Sequence, residues 1–139
     1  MEEAGEEPAT AVNARSLRDL EALQGRWVQV SLEVDGVEKS SDDLSPSGGM
    51  TAFAGSQFTV YTADGALLLE GSFTLDASTD PKRVNWLDSI GPDAGKVLAA
   101  IYQLDGDRFV FVAADAGAPR PTEFRTGPGQ TMRTFIRRL

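Results

Sequence analysis

The sequence predicts an all-β protein, an antiparallel up-and-down barrel of about eight strands with a short N-terminal helix at one mouth. Three observations carry that expectation. Apolar and polar residues alternate at period two through most of the chain beyond Gly25. The alternating runs are joined by short turns such as Asp35-Gly36, Ala63-Asp64-Gly65 and Asp105-Gly106-Asp107, which leave no room for crossover helices, so neighbours pair antiparallel. The first and last runs, Gly25-Arg26-Trp27 and Phe135-Ile136-Arg137-Arg138-Leu139, make a matched pair of ends. Strands of this kind lose their exposed edges most economically by closing on themselves; a two-sheet sandwich is the alternative.

Residues 1–14 are acidic and unpatterned and read as a disordered tail, leaving 15–139 as the barrel domain. Ser16 to Gln24 reads as a helix, with Ser16 as cap, Asp19 three residues on, and Leu17, Leu20 and Leu23 on one stripe before Gly25 ends it. Strands follow over Arg26–Glu33 and, past the Asp35-Gly36 turn, Val37–Lys39. Ser40–Gly49, with Pro46 and a Gly pair, is the longest loop. Met50–Phe53 and Gln57–Thr62 come next. The cleanest alternation sets Leu67, Leu69, Gly71, Phe73 and Leu75 against Glu70, Ser72, Thr74 and Asp76, a dry face and a wet face of one strand. Gly71 on the dry face marks a bend or bulge. Arg83–Asp88, Lys96–Leu104, Arg108–Ala113 and Thr131–Leu139 complete the meander.

At 139 residues and 41% hydrophobic content the chain suits one globular domain. No apolar run approaches the roughly 18 residues of a membrane helix. Net charge is −8, and from residue 11 onward 13 Lys+Arg still stand against 17 Asp+Glu. Mild acidity argues against nucleic acid and against anionic membranes, which need a coherent basic face. The countercurrent is Arg120, Arg125, Arg133, Arg137 and Arg138 near the C-terminus, expected to pair with carboxylates of neighbouring strands. The acidic start is the reverse of a signal peptide, so the chain reads as cytoplasmic, or as the mature form of an exported protein. A monomer is expected.

Without Cys there is no disulfide, and without His the usual general base and the commonest metal ligand are missing. Asp105-Gly106-Asp107 and Asp42-Asp43 are too sparse for a calcium loop and read as turn residues. Gly91-Pro92-Asp93-Ala94-Gly95-Lys96 has the wrong glycine spacing for a phosphate loop and leads into a strand. No carboxylate pair is selected by spacing, and no Lys sits in an apolar context. The sequence therefore predicts no enzyme, no metal and no cofactor. The aromatic residues say more: Phe58, Phe73, Trp86, Tyr102, Phe109, Phe111 and Phe135 fall within strands, mostly in apolar phase. Either they fill the barrel or they line a pocket for one small ligand.

The matched ends resemble those of calycin barrels such as lipocalins and fatty-acid-binding proteins. That resemblance implies that Trp27 plugs the closed end with an arginine of the last strand over its ring. Arg138 shares strand phase with Ile136 and Thr134 and is expected to point inward against Trp27, with Arg137 in water. Arg138 is also the candidate inward cation for a ligand anion, although the Arg-x-Tyr of fatty-acid-binding proteins is not matched. Further motifs are Leu23-Gln24-Gly25-Arg26-Trp27, Gly91–Lys96, Ile101–Asp107 and Arg120-Pro121-Thr122-Glu123-Phe124. In that order they resemble a bacterial lipocalin-like domain family abundant in planctomycetes, over roughly Leu20 to Arg138. The resemblance implies a small barrel and brings no established activity.

The function expected on these grounds is non-catalytic binding of a small apolar or amphipathic ligand carrying at most one anionic group. Trp27, Phe58, Phe73, Trp86, Tyr102, Phe109 and Arg138 are the expected ligand-binding residues. A protein-interaction domain with a filled barrel is the alternative. The four glutamates of the first ten residues have no apolar periodicity to repay ordering. Deleting Met1–Thr10 should therefore leave the melting temperature within about 2 °C of the parent in a thermal scan; a drop of about 10 °C would show the segment packed on the barrel.

Overall fold

A computed structural model describes residues 14–38, 49–62 and 64–138; the predicted tail and the 40–49 loop fall, but for Ala14 and Gly49, outside the described residues. A helix, α1 (14–23), precedes nine strands: β1 (Gly25–Val34), β2 (Val37–Glu38), β3 (Met50–Ala54), β4 (Gln57–Tyr61), β5 (Leu67–Asp76), β6 (Lys82–Asp88), β7 (Val97–Asp105), β8 (Arg108–Ala114) and β9 (Gln130–Arg137). All pairings are antiparallel. β1 pairs with both β3 and β9, so eight strands close into a barrel and the two-residue β2 extends the end of β1. The barrel, not the sandwich, is the fold, and the predicted strand bounds hold to within one or two residues, save the ends at Lys39 and Leu139, which lie outside the described residues.

The short turns follow from backbone permissiveness. Asp35 and Gly36 both have positive φ (51° and 84°), the mirror-image turn that matches strand twist. Two register shifts bend the wall: β1 carries an extra residue between Gln29 and Ser31, and β5 carries one opposite the step from Val60 to Tyr61. The second corrects the simple alternation of β5. Leu69 pairs with inward Val60, but beyond the irregularity Leu67 pairs with Tyr61, and Leu67 is 48% exposed rather than on the dry face. Gly71 is not a bulge. A Cβ there would lie 2.2 Å from the Leu87 carbonyl oxygen and 2.9 Å from Cε2 of Phe58, so β5 needs glycine for close approach to β6 and for the ring above it.

Inside the barrel Trp27, Phe53, Phe58, Phe73, Trp86, Tyr102, Phe109, Phe111 and Phe135 form one connected cluster, with centroid separations of 4.8 Å for Trp86–Phe111 and 5.4 Å for Phe73–Trp86. Outward-phase residues of β7 and β8 (Ile101, Val110, Val112) are buried too. The 115–129 connection is tied to this side of the wall. Arg120 donates to the carbonyls of Val84 (3.2 Å) and Ala100 (2.8 Å) and to Oδ1 of Asn85 (2.7 Å). The Arg120–Phe124 motif thus contains a side chain that laces β6 to β7.

α1 closes one end through side-chain contacts to residues distant in sequence. Ser16 lies inside the helix rather than capping it, and its Oγ accepts from the Ala77 amide at 3.1 Å, anchoring the β5–β6 turn. Asp19 accepts from the Tyr102 hydroxyl (2.6 Å) and from Lys82 Nζ (3.0 Å), joining the helix to β6 and β7. The Gln24 amide donates to the Gly55 carbonyl and accepts from its N–H, clamping the β3–β4 turn.

The arginine over Trp27 is Arg137, not Arg138. Its guanidinium lies 4.3 Å from the indole, Trp27 pairs with it in register, and Arg138 is exposed. The phase of β9 explains the correction. Phe135 is buried and Ile136 is 40% exposed, so Thr131, Arg133, Phe135 and Arg137 face inward, and Arg138 leaves with Ile136. Arg137 also donates to the carbonyls of Gln24 (2.9 Å) and Ala22 at the helix C-terminus, and to Asp107 (2.9 Å). Trp27 Nε1 donates to the Leu23 carbonyl at 2.8 Å. Arg137→Ala should lower unfolding stability by about 2–4 kcal/mol, from lost cation–π, helix-end and hydrogen-bonding contributions. Trp27→Ala should cost about 3–5 kcal/mol. Arg138→Ala should stay within about 0.5 kcal/mol. Urea titrations of the three variants decide it; equal losses for Arg137 and Arg138 would refute the assignment.

Candidate functional site

The two ends of the barrel differ. One carries α1 and the Gly55, Ala77 and Gly106 turns, all tied down. The other carries the β1–β2, β4–β5, β6–β7 and β8–β9 connections, and no described helix covers it. β1 pairs with β3 through Gly25–Trp27, with β2 through Glu33 and Val34, and with β9 along most of its length, so among the described residues the β1–β3 pairing is confined to the helix end.

Arg133 is the unusual side chain here. On β9 it lies in the inward phase, with Leu32 of β1 and Phe111 of β8 as its register partners. Its Nη1 donates to Gln29 Oε1 at 2.8 Å, and no carboxylate among the described residues pairs with it. The residue retains some solvent access, yet the surrounding protein desolvates the guanidinium enough to lower its pKa. The extra residue in β1 creates this situation. Uninterrupted alternation from Trp27 and Gln29 would bring Glu33 to the inward face near Arg133. With the bulge, Leu32 takes the inward place and Glu33 turns outward. There Glu33 Oε1 accepts from Thr126 Oγ1 (2.5 Å) and N–H (2.8 Å), which holds its carboxyl below the usual range.

Two further polar groups share the interior. Nε2 of Gln29 and Nε1 of Trp86 are buried, and neither has a hydrogen-bond partner among the described residues. Because Gln29 Oε1 faces the guanidinium, its amide orientation is set and Nε2 is left as a free donor.

The expected ligand-binding residues separate accordingly. Trp27, Phe58, Phe73, Trp86, Tyr102 and Phe109 all meet in the aromatic cluster. Trp27, Tyr102 and Phe109 are almost completely buried. Trp27 is tied to Leu23, and Tyr102 to Asp19, where burial and that hydrogen bond raise the phenol pKa. Trp86 touches Phe111, the neighbour of Arg133, while Arg138 is exposed and outside the cluster. Sequence reasoning missed Gln29 and the inward place of Arg133. The signal for the latter was present, since Arg133 alternates with Phe135. Among the described residues no arginine of this set pairs with a carboxylate of a neighbouring strand: Arg137 meets Asp107 in the β7–β8 turn, Arg125 meets Glu123 of its own loop, and Arg120 and Arg133 use neutral acceptors.

Two depressions lie elsewhere. One of about 470 Å³ follows the outer wall of β4–β6, between Gln57, Glu70, Ser72 and Leu87; another of about 370 Å³ lies between α1 and the barrel, lined by Leu17, Leu20 and Leu75. Among the described residues no cluster of three or more His, Cys, Asp or Glu could hold a metal ion, and no helix is long and apolar enough to cross a membrane. Compared with protein-family models, curated proteins and solved structures, the chain matches none.

Asp88 offers a check on the electrostatics of the β6 end. Burial, and then Asp93, raise its carboxyl pKa above the ordinary 3.8. A group whose folded pKa is raised keeps its proton more readily in the fold, so its ionisation opposes folding as pH rises through that pKa. Asp88→Asn should therefore raise the urea midpoint at neutral pH, with the difference vanishing below pH 3.8. A midpoint lowered at neutral pH would refute the account.

Proposed function

We propose that this chain is a non-catalytic, lipocalin-like binding module that takes a small apolar or amphipathic ligand through the end of its barrel opposite α1. We assign it, on its ordered motifs, to the lipocalin-like domain family described above. One observation carries the reading: the buried donors Gln29 Nε2 and Trp86 Nε1 have no partner among the described residues, and Gln29 Oε1 accepts from the inward Arg133 in the half of the barrel that no described helix covers. Folded proteins leave few buried polar groups unpaired, and those they leave commonly mark sites of function.

A second reading is a protein-interaction domain with a filled barrel. It is favoured by the continuous aromatic cluster and by exposed Leu67, Leu68, Leu87 and Val97 around β5–β7.

Titration with an apolar dye, fatty acids and retinoids, read by tryptophan fluorescence, distinguishes the two. The binding reading expects saturable quenching at one site per chain, lost in Trp86→Phe because Trp27 is sealed at the closed end. Saturation by nucleotides or sugar phosphates alone would refute the pocket chemistry, and no binding in either group would select the filled barrel.

A further inference from the structure

We infer that the outer wall of β5, β6 and β7 is a twofold interface with a second copy of this chain. Lys96 of each copy enters the depression of about 470 Å³ on the other and meets Glu70 there. The inference departs from the monomer expected of the sequence, and it holds whether or not the barrel interior takes a ligand. β6 lies between β5 and β7 in the sheet. In register, Leu87 stands between Ser72 of β5 and Val97 of β7, so the three share the outer face. Leu87 is 38% and Val97 54% exposed, an apolar strip on a wall where alternation ordinarily puts polar residues. One step nearer the rim, half-buried Glu70 lies on the β5 side and exposed Lys96 on the β7 side. Two strand spacings, about 10 Å, separate them. Neither forms an ion pair within its own chain among the described residues.

Charge and relief both select a second copy as the occupant. A twofold axis laid along β6 packs Leu87 on Leu87 and sets β5 of each copy over β7 of the other. Glu70 then faces Lys96 of the second copy, and Ser72 faces its Val97. Acid and base exchange places under that rotation, so both pairs form at once. An axis laid across the strands would return β5 to β5 and β7 to β7, with like charges opposed. The relief alternates in the same sense. On the β5 side the wall is hollow, with the depression running between Gln57, Glu70, Ser72 and Leu87. On the β7 side it is raised, first by Val97 and then by the 115–129 connection, which Arg120 fastens over Asn85 and the Ala100 carbonyl. The axis along β6 sets raised flank against hollow flank in both directions. A partner of another kind would have to supply the same alternation of ridge and hollow, base and acid; a second copy has it already.

The test is analytical sedimentation of the full chain over about 1 to 300 µM at physiological ionic strength, where the net charge of −8 on each copy is screened beyond about 8 Å. Wild type should pass from monomer to dimer within that range. Glu70→Lys and Lys96→Glu each turn two attractions into two repulsions, and each should weaken the dimer at least about tenfold. An equimolar mixture of the two variants should restore it, because the heterodimer regains an opposite-charge pair at both positions. Leu87→Asp should abolish it. Thermal scans establish that each variant folds. A carbodiimide cross-link from Glu70 to Lys96 between isotope-labelled and unlabelled chains reads the contact with no substitution. A wild-type monomer throughout the range, a dimer kept in folded Leu87→Asp, or a mixture no tighter than either variant alone overturns the inference. None of these outcomes bears on the ligand titration, which reads the barrel interior.

Discussion

The contact on which the architecture depends is the stack of Arg137 on Trp27. Closing a barrel brings the first and last strands together at the end where chain entropy opposes it most. A flat cation on a flat indole joins them without requiring a buried counter-charge. The same guanidinium caps the C-terminus of α1 and reaches Asp107 in the β7–β8 turn. One side chain therefore couples helix, first strand, last strand and a hairpin. Gly25, at φ 113°, turns the chain from helix into strand beside Arg137 Nη1, and only glycine adopts that backbone readily.

Where the closed end satisfies its polar groups, the open half does not. For Arg133 the difference traces to one additional residue in β1. The bulge after Gln29 rotates Glu33 out to Thr126, where it holds the 115–129 connection, and puts Leu32 opposite Arg133. A carboxylate that could have neutralised the arginine internally serves the outer wall instead. Such an arrangement costs stability, since a desolvated cation with a neutral partner is poorer than a paired one. Local rules that agree across most of a fold and fail together in one place mark the place where selection acts on something other than stability.

Most of the architecture was legible in the sequence because strand alternation and turn chemistry are local. Asp35-Gly36 turns the chain wherever it stands, and Phe73 needs no partner to reveal which face is dry. What was not legible depended on long-range register. Arg138 read as inward because Thr134 and Ile136 share its phase, and nothing local says that Thr134 is buried on the outer side of the wall. Ser16 and Asp19 read as a capping pair because helix-start chemistry uses those residue types, yet both serve contacts more than sixty residues away in sequence. Gly71 announced a special backbone without saying that the cause is close approach to Leu87 rather than a bulge. Gln29 lies two residues after Trp27 and so in its inward phase, but a lone polar residue in a strand gives no sign of the Arg133 that its amide meets on β9.

The aromatic cluster had two readings in the sequence, filling and lining, and in the structure it packs as one continuous cluster whose polar atoms are treated differently along the barrel axis. At the helix end Trp27, Tyr102 and Phe109 are sealed, with their polar atoms assigned to Leu23 and Asp19, so this half is a core in the ordinary sense and gives the fold its rigidity. At the other end Trp86 keeps a buried, unused N–H, and Phe111 stands between it and Arg133. The packed core at the helix end holds Gln29 and Arg133 one strand step away from it, with Phe135 as the layer between. Their unmet donors are a cost that the sealed end does not carry, since every polar atom described there has a partner within the fold.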